Sequence, residues 1–541
     1  MGAGKAFLFT GVMTVVAFGW IVTSSPTLPG EAVVQAAAKG DRGQGLGRGE
    51  KGHAGASLDQ ELADVLADNE FTGTMQSQIE PRLGRPINQA MAELGRLLWF
   101  DNAHSLHQDN TCGGCHGPGN AMGDSQPIAI GVDSNRKVGP HRTGPRNQRR
   151  APSVINNAFY PKLMWNGRFS ANHAISESLG DPFDNVFGFK FPDPEGDAVM
   201  FPPSDPVILH LLQAQAFIPP TELVEVAGFT GTCPSLGPDF CQFDNGVGLT
   251  VPPPDGSGFR NEPIRQKGLD ILNGIPAYRQ LFAAVFPEMG GPGGLIDFSM
   301  FGRAIAEFEF ALIFANAPLD RFARGDRNAM TTAEKRGALV FFDESKGNCV
   351  ACHAVKGRSN EMFSDFANHV AGIPQIAPFF GVGKSNMIYD GPNADEDFGQ
   401  AQVSGDPSER YQFRTAPLRN LALAPAFFHN GAFADLGDAI RFHLDAVGNT
   451  PKYNAKKAGV PKDLQKRQGP SAPVLAVIDP LLASPVQLTK QETKDLIDFV
   501  RTGLLDPGAM PKNLCSLIPK SVPSGLAILD FEACHNLKGK K

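Results

Sequence analysis

The chain has 541 residues, 42% of them hydrophobic and 19% charged, with a formal net charge of −7. That length supports a sizeable core and about two to four domains, and the dispersed charge, with no basic block, excludes a nucleic-acid partner. The 60 glycines and 44 prolines exclude a helix-dense bundle and predict short helices joined by long loops.

Met1-Gly-Ala-Gly-Lys5 leads into an apolar run from Ala6 to Val22, ended by Ser24, Ser25 and Pro26 and followed by Ala36-Ala37-Ala38. A short basic start, an apolar stretch and small residues predict a signal peptide over 1–38, cleaved on export. The run is 17 residues long. It sits at the lower limit for spanning a bilayer, so a retained anchor is the alternative. Residues 39–60, Gly-rich and charged at first, read as a flexible lead-in.

Ile87, Met91, Leu94 and Leu98 follow Pro86 at helical spacing and run into Gly95-Arg-Leu97-Leu-Trp-Phe100-Asp101. Cys112-Gly-Gly-Cys115-His116 begins eleven residues after Asp101. Phe301, Ile305, Phe308 and Leu312 form a further apolar stripe. Thr331-x-x-Glu334 is a capping box, and its helix ends in Gly337-Ala-Leu339-Val-Phe-Phe342-Asp343. Cys349-Val-Ala-Cys352-His353 follows six residues after Asp343. The shared pattern, Gly-x-Leu-x-x-Phe-Asp and then Cys-x-x-Cys-His, reads as an internal duplication. Leu436, Ile440, His443 and Val447 share one helical face, and Thr489-x-x-Glu492 caps a helix carrying Leu496, Ile497, Phe499 and Val500. Strand signals are weak. The expected fold is mainly α: a domain over 61–315 and a second over 316–541, each a helix feeding a Cys-x-x-Cys-His loop, with much irregular chain.

Two cysteines separated by two residues can bind both vinyl groups of one haem, and the histidine after them then ligates the iron. A zinc site would need four ligands, and neither pair has a second pair beside it. A redox dithiol would not need the histidine. Two occurrences after the same helix pattern assign two covalent haems c, held by Cys112, Cys115 and His116 and by Cys349, Cys352 and His353. Cys534-His535 is not a third motif, because Phe531 stands where the first cysteine belongs. In an exported chain Cys233–Cys241 and Cys515–Cys534 are candidate local disulfides, with buried thiols as the alternative.

Around these motifs the chain resembles the bacterial di-haem cytochrome c peroxidase family, which includes the MauG-type enzymes. The resemblance runs from about Leu94 to Leu504. It is strongest at Leu94–Asp101, Cys112–His116, Gly144–Asn156, Trp165-Asn-Gly-Arg168, Phe413–Asn420 and Phe427-Phe-His-Asn-Gly431. It implies that the His116 haem reacts with peroxide and the His353 haem stores electrons. It implies an acid–base glutamate ten residues after a glutamine, which falls on Glu225 and Gln215, with Glu222 as rival. A solvated loop carboxylate is the bland reading of Glu225. Where some members place a histidine after Ile-Gly, this chain has Val132 after Ile130-Gly131, with His141 nearby in a turn. An open first iron is therefore expected. The second iron's sixth ligand is expected fourteen residues after His429, at His443. Methionine stands there in the peroxidases and tyrosine in MauG. A histidine lowers the reduction potential relative to methionine. Trp165 matches a tryptophan between the haems, with an ordinary core tryptophan as the alternative. A Ca²⁺ between the domains would use Asn147, offset by three residues from the expected place, and the carbonyls of Ala424 and Ala426. A long insertion between Arg168 and Gln215 is expected to cover one side of the entrance.

The leading expectation is a periplasmic peroxidase that takes electrons from a small cytochrome c or cupredoxin at the C-terminal haem and passes them to the N-terminal one. The alternatives are a MauG-like oxidase or oxygenase acting on a protein or organic substrate, and a simple electron carrier. An open iron beside a placed glutamate argues against the carrier. Whether the chain forms a homodimer stays open at this point.

Overall fold

Two helix pairs built in the same way organise the protein, seen in a computed structural model that describes residues 57–175, 178–190, 201–235, 238–378 and 388–537. The expected signal and most of the lead-in lie outside those residues. The first pair is Gln89–Phe100 against Phe298–Phe310. The second is Thr332–Phe342 against Lys490–Asp498. In the first crossing a Cβ on Gly95 would stand 1.9 Å from the Ala304 carbonyl oxygen, and in the second one on Gly337 would stand 2.0 Å from the Asp495 carbonyl oxygen. The duplicated glycine is thus the point where two helix backbones touch. Glycine inside a helix costs about 1 kcal/mol relative to alanine, and the close packing it admits offsets that.

Caps set the helix ends. Asn88 accepts from the Met91 N–H, so the first helix starts at Gln89 rather than at Pro86. Both expected capping boxes form, Thr331 with Glu334 and Thr489 with Glu492. The helix expected to run through Val447 stops at His443, because Asp445 caps a new short turn, Ala446–Asn449. Val447 is 37% exposed instead of sharing the buried face. The helix Leu58–Asp68, capped by Ser57, begins inside the stretch expected as lead-in.

Strands are few and two or three residues long. Lys162–Leu163, Phe169–Ala171 and Phe189–Lys190 form one antiparallel sheet, and Asn368–His369 pairs antiparallel with Phe413–Arg414. Lys137–Val138 pairs in parallel with Asp530–Phe531.

Ala56–Lys541 form one compact unit with several hydrophobic cores. One core surrounds Leu98, Trp99, Phe301 and Phe308. A second surrounds Phe341, Phe342, Phe442 and Phe499. The termini cross between them. Leu62 and Leu66 of the first helix pack in the second core. Leu514, Leu529 and Phe531 pack in the first, where the Cys515–Cys534 disulfide staples the returning tail. Packing therefore departs from the expected 61–315 and 316–541 division at both ends, since each terminal segment buries its apolar face on the other half. Arg149 bonds Asp397 through two nitrogens, at 2.7 and 2.8 Å, and Arg146 pairs with Asp463, which ties the halves further. Breaking the mostly buried Arg149–Asp397 pair costs about 3–5 kcal/mol, because it strands the other charge. Cys233–Cys241 is also a disulfide. Among the described residues no helix is long and apolar enough to cross a membrane.

Candidate functional site

The two Cys-x-x-Cys-His loops are built alike. Cys112–Cys115 form a single helical turn. A Cβ on Gly113 would stand 3.0 Å from the Phe100 ring, and one on Gly114 would stand 1.9 Å from Asn110 Oδ1, so both intervening residues must be small. The Thr111 hydroxyl donates to the Trp99 and Asp101 carbonyls and ties the loop to the helix that feeds it. His116 Nδ1 lies 2.8 Å from the Pro152 carbonyl, and His353 Nδ1 lies 3.0 Å from the Phe363 carbonyl. A carbonyl only accepts, so each proton sits on Nδ1 and each Nε2 keeps its lone pair. Burial lowers both imidazoles, His116 to about 4, and keeps them neutral as ligation requires. All four motif cysteines are unpaired, whereas the other four form disulfides. This donor set fits two covalent haems.

A cavity of about 790 Å³ opens beside the first loop, within the range of about 300–1,000 Å³ common for cofactor and ligand sites. Cys112, Cys115, His116, Trp165, Gln215 and Glu225 line it, and among the described residues His116 is its only histidine. Gln215 ends the short helix Leu211–Gln215. Glu225 sits in the middle of a π-helical turn, Leu223–Ala227, a local irregularity that recurs at functional sites. Glu222 Oε1 accepts from Arg168 Nη2 at 2.9 Å, while the Glu225 carboxylate has no hydrogen bond from the described residues. Glu225 faces the cavity but lies deep in the protein. Desolvation, with the Glu222 charge adding to it and Arg168 opposing, raises its carboxyl to about 7. That value suits a group that both takes and returns a proton near neutrality.

His443 ends the helix Leu436–His443 and faces His353, with ring centroids 6.4 Å apart. That separation leaves room for one metal ion, which His353 and His443 would hold together. His443 Nδ1 is buried without a hydrogen-bond partner. Burial, with His353 adding, lowers its pKa to about 4, so it too is neutral. Phe428 packs on it at 5.4 Å.

Trp165 stands where the halves meet. Its indole N–H donates to the Arg150 carbonyl at 2.7 Å, and its carbonyl accepts from the Arg414 N–H at 2.7 Å. Val132 is buried against Phe229 and Phe243. His141 is turned outward onto Glu532, with its side chain 76% exposed, and does not reach the cavity. Asn147 lines the cavity. Its segment meets the one carrying Ala424 and Ala426 where the Arg150 N–H donates to the His429 carbonyl at 2.7 Å.

Three features escaped the sequence reading. Glu309, in the helix Phe298–Phe310, lines the cavity with one oxygen bonded by Asn157 and the other unpartnered. Desolvation raises it to about 8, and the Asn157 bond opposes this. The sequence carries no signal that separates it from Arg303 and Glu307 of the same helix. Arg142 is buried and donates to the Ile130, Gly131 and Lys137 carbonyls. A Cβ on Gly131 would stand 2.1 Å from the Val224 carbonyl oxygen and 2.8 Å from Glu225 Cα, so the Ile130-Gly131 pair is needed for the close approach of the Glu225 turn.

Residues 89–328 match the family profile described as di-haem cytochrome c peroxidase. The chain is 24% identical over 380 residues to cytochrome c551 peroxidase of Pseudomonas aeruginosa, covering 70% of this chain and 79% of that one. It is 23% identical over 433 residues to the methylamine utilization protein MauG of Methylophilus methylotrophus, covering 79% and 86%. Among solved structures, a MauG-like protein associated with microbial copper homeostasis aligns with a TM-score of 0.49 and 20% identity over 80% of this chain and 92% of that one.

Proposed function

Because the chain belongs to the di-haem cytochrome c peroxidase and MauG family, an oxidoreductase family, we propose that it reduces hydrogen peroxide to water with electrons from a small periplasmic cytochrome c or cupredoxin. The observation that carries this is the unpaired Glu225 carboxylate, raised to about 7, in the cavity beside His116. Bound through Cys112, Cys115 and His116 and through Cys349, Cys352 and His353, two haems would supply the redox chemistry, one iron with a free face for peroxide and the other closed by His443 to hold electrons. Each would sit in its own helix-and-loop unit. Glu225 takes the proton from one peroxide oxygen and returns it to the departing one. With two electrons and two further protons, one peroxide gives two waters. The Gln215 amide offers a donor and an acceptor to hold peroxide. Trp165 offers an aromatic ring between the two sites. The outward turn of His141 and the apolar Val132 support an open first face.

The two disulfides fit an exported protein in an oxidising compartment. A calcium ion on Asn147 and the carbonyls of Ala424 and Ala426 belongs to the same proposal, supported by the meeting of those segments. Metal analysis of the holoprotein is expected to return two irons and one calcium, and a calcium-free protein of full activity would remove that ion.

A second reading has support of its own. His443 stands where the peroxidases carry methionine, which favours a MauG-like enzyme that oxidises a protein or organic substrate. Steady-state kinetics with peroxide and reduced cytochrome c separate the two. Sustained turnover is expected, and its absence in protein carrying both haems would move the assignment to the second reading.

A further inference from the structure

Asn110 is fully buried two residues before the first attachment cysteine. Its amide meets three otherwise separate parts of the site. Nδ2 donates to the Glu225 carbonyl at 2.7 Å and lies 3.8 Å from Cys115 Sγ. Oδ1 accepts from Arg142 Nη2 at 2.9 Å, and Gly114 leaves the space in which that oxygen sits. The orientation of the amide is forced. Arg142 only donates, so Oδ1 must face it and the NH₂ must face the Glu225 carbonyl. Arg142 is itself fixed by three backbone carbonyls. Two neighbours in the same segment hold the same turn, Ser105 donating to the Val226 carbonyl and His107 packing where Gly228 leaves room. Of the three, Asn110 is the one that also touches the attachment loop.

We propose that Asn110 is a positioning residue that locks the Leu223–Ala227 turn, and with it the Glu225 side chain, to the loop carrying the first haem. This rests on the acid–base reading of Glu225. The turn has no α-helix on either side; Ser105 and the Val132 N–H hold it to neighbouring chain, and Asn110 is the contact that ties it to the attachment loop. A misplacement of about 1 Å at such a site costs on the order of 10²-fold in rate.

The test uses the holoprotein with Asn110→Asp, which keeps an acceptor for Arg142 but has no donor for the Glu225 carbonyl, and Asn110→Ala beside it. Both haems are expected to stay attached, with kcat for peroxide falling about tenfold to a hundredfold and KM for the electron donor unchanged. Amide hydrogen exchange in a peptide spanning 222–228 is expected to quicken about tenfold, as loss of one buried hydrogen bond implies, while a peptide spanning 353–364 is unaffected. Unchanged exchange over 222–228 overturns the proposal whatever the activity does. Faster exchange with full kcat also overturns it, since the lock would then serve no chemistry. Loss of haem from both variants overturns it in favour of a purely structural role. If Glu225→Gln keeps full turnover, the acid–base reading falls, and the exchange data still decide whether Asn110 holds the turn.

Discussion

Glu225→Gln is expected to lower kcat/KM for peroxide by about two to four orders of magnitude, with both haems retained. Glutamine keeps the volume and a polar tip but cannot accept and return a proton at one atom. The wild-type profile carries a second signature. The carboxylate form begins the proton relay, so kcat/KM should rise with pH through about 7, the value to which burial raises Glu225. The sign can be checked by changing the neighbour. Glu222→Gln removes a negative charge and frees Arg168, and both effects favour the ionised Glu225, so the acid limb should move to lower pH. Arg168→Ala should move it up. Stopped-flow rates of peroxide consumption at single pH steps measure all three. An acid limb that stays in place in Glu222→Gln would assign it to another group, and Glu309, raised to about 8, would be examined first.

His443→Ala is expected to convert the second haem from six-coordinate low-spin to a form with an open or water-bound face, without disturbing the first. His443 meets His353 at 6.4 Å, and the described residues offer no hydrogen bond to its Nδ1, which are the observations that support it as the ligand. The conservative partner, His443→Met, should keep a six-coordinate haem and raise its reduction potential by on the order of 0.1 V, a part of the roughly 0.8 V that axial ligands span. Turnover with cytochrome c as donor should then change because the driving force changes. Spectra of His443→Ala identical to wild type would remove His443 as a ligand.

Much of the site was legible because its signals are local. A Cys-x-x-Cys-His string carries its chemistry within five residues. The two capping boxes and the duplicated glycine pattern are short-range, and each appears in the structure as a helix cap or a helix crossing. The ten-residue and fourteen-residue spacings put Glu225 in the cavity beside His116 and His443 opposite His353. What escaped notice is long-range. Asn110 reaches Glu225 across 115 positions, and Arg142 reaches Asn110 across 32. No propensity marks the π-helical turn, whose contacts with Gly131, Ser105 and Asn110 are all distant in sequence. The helix does not reach Val447 for a local reason, since Asp445 caps a new turn within the apolar stripe. The crossing of the termini was hidden because an amphipathic helix does not state which core will bury it. Glu309 was passed over because an acidic residue in an apolar stripe reads as a solvent-facing position, yet it is 2% exposed.

The central claim is that the two haem sites are unequal, His116 with an open face beside Glu225 and His353 closed by His443. An electron paramagnetic resonance spectrum of the fully oxidised protein tests it directly. The account predicts one high-spin haem and one low-spin bis-histidine haem in equal amounts, with the low-spin signal lost in His443→Ala. Two low-spin haems in the resting protein would contradict it.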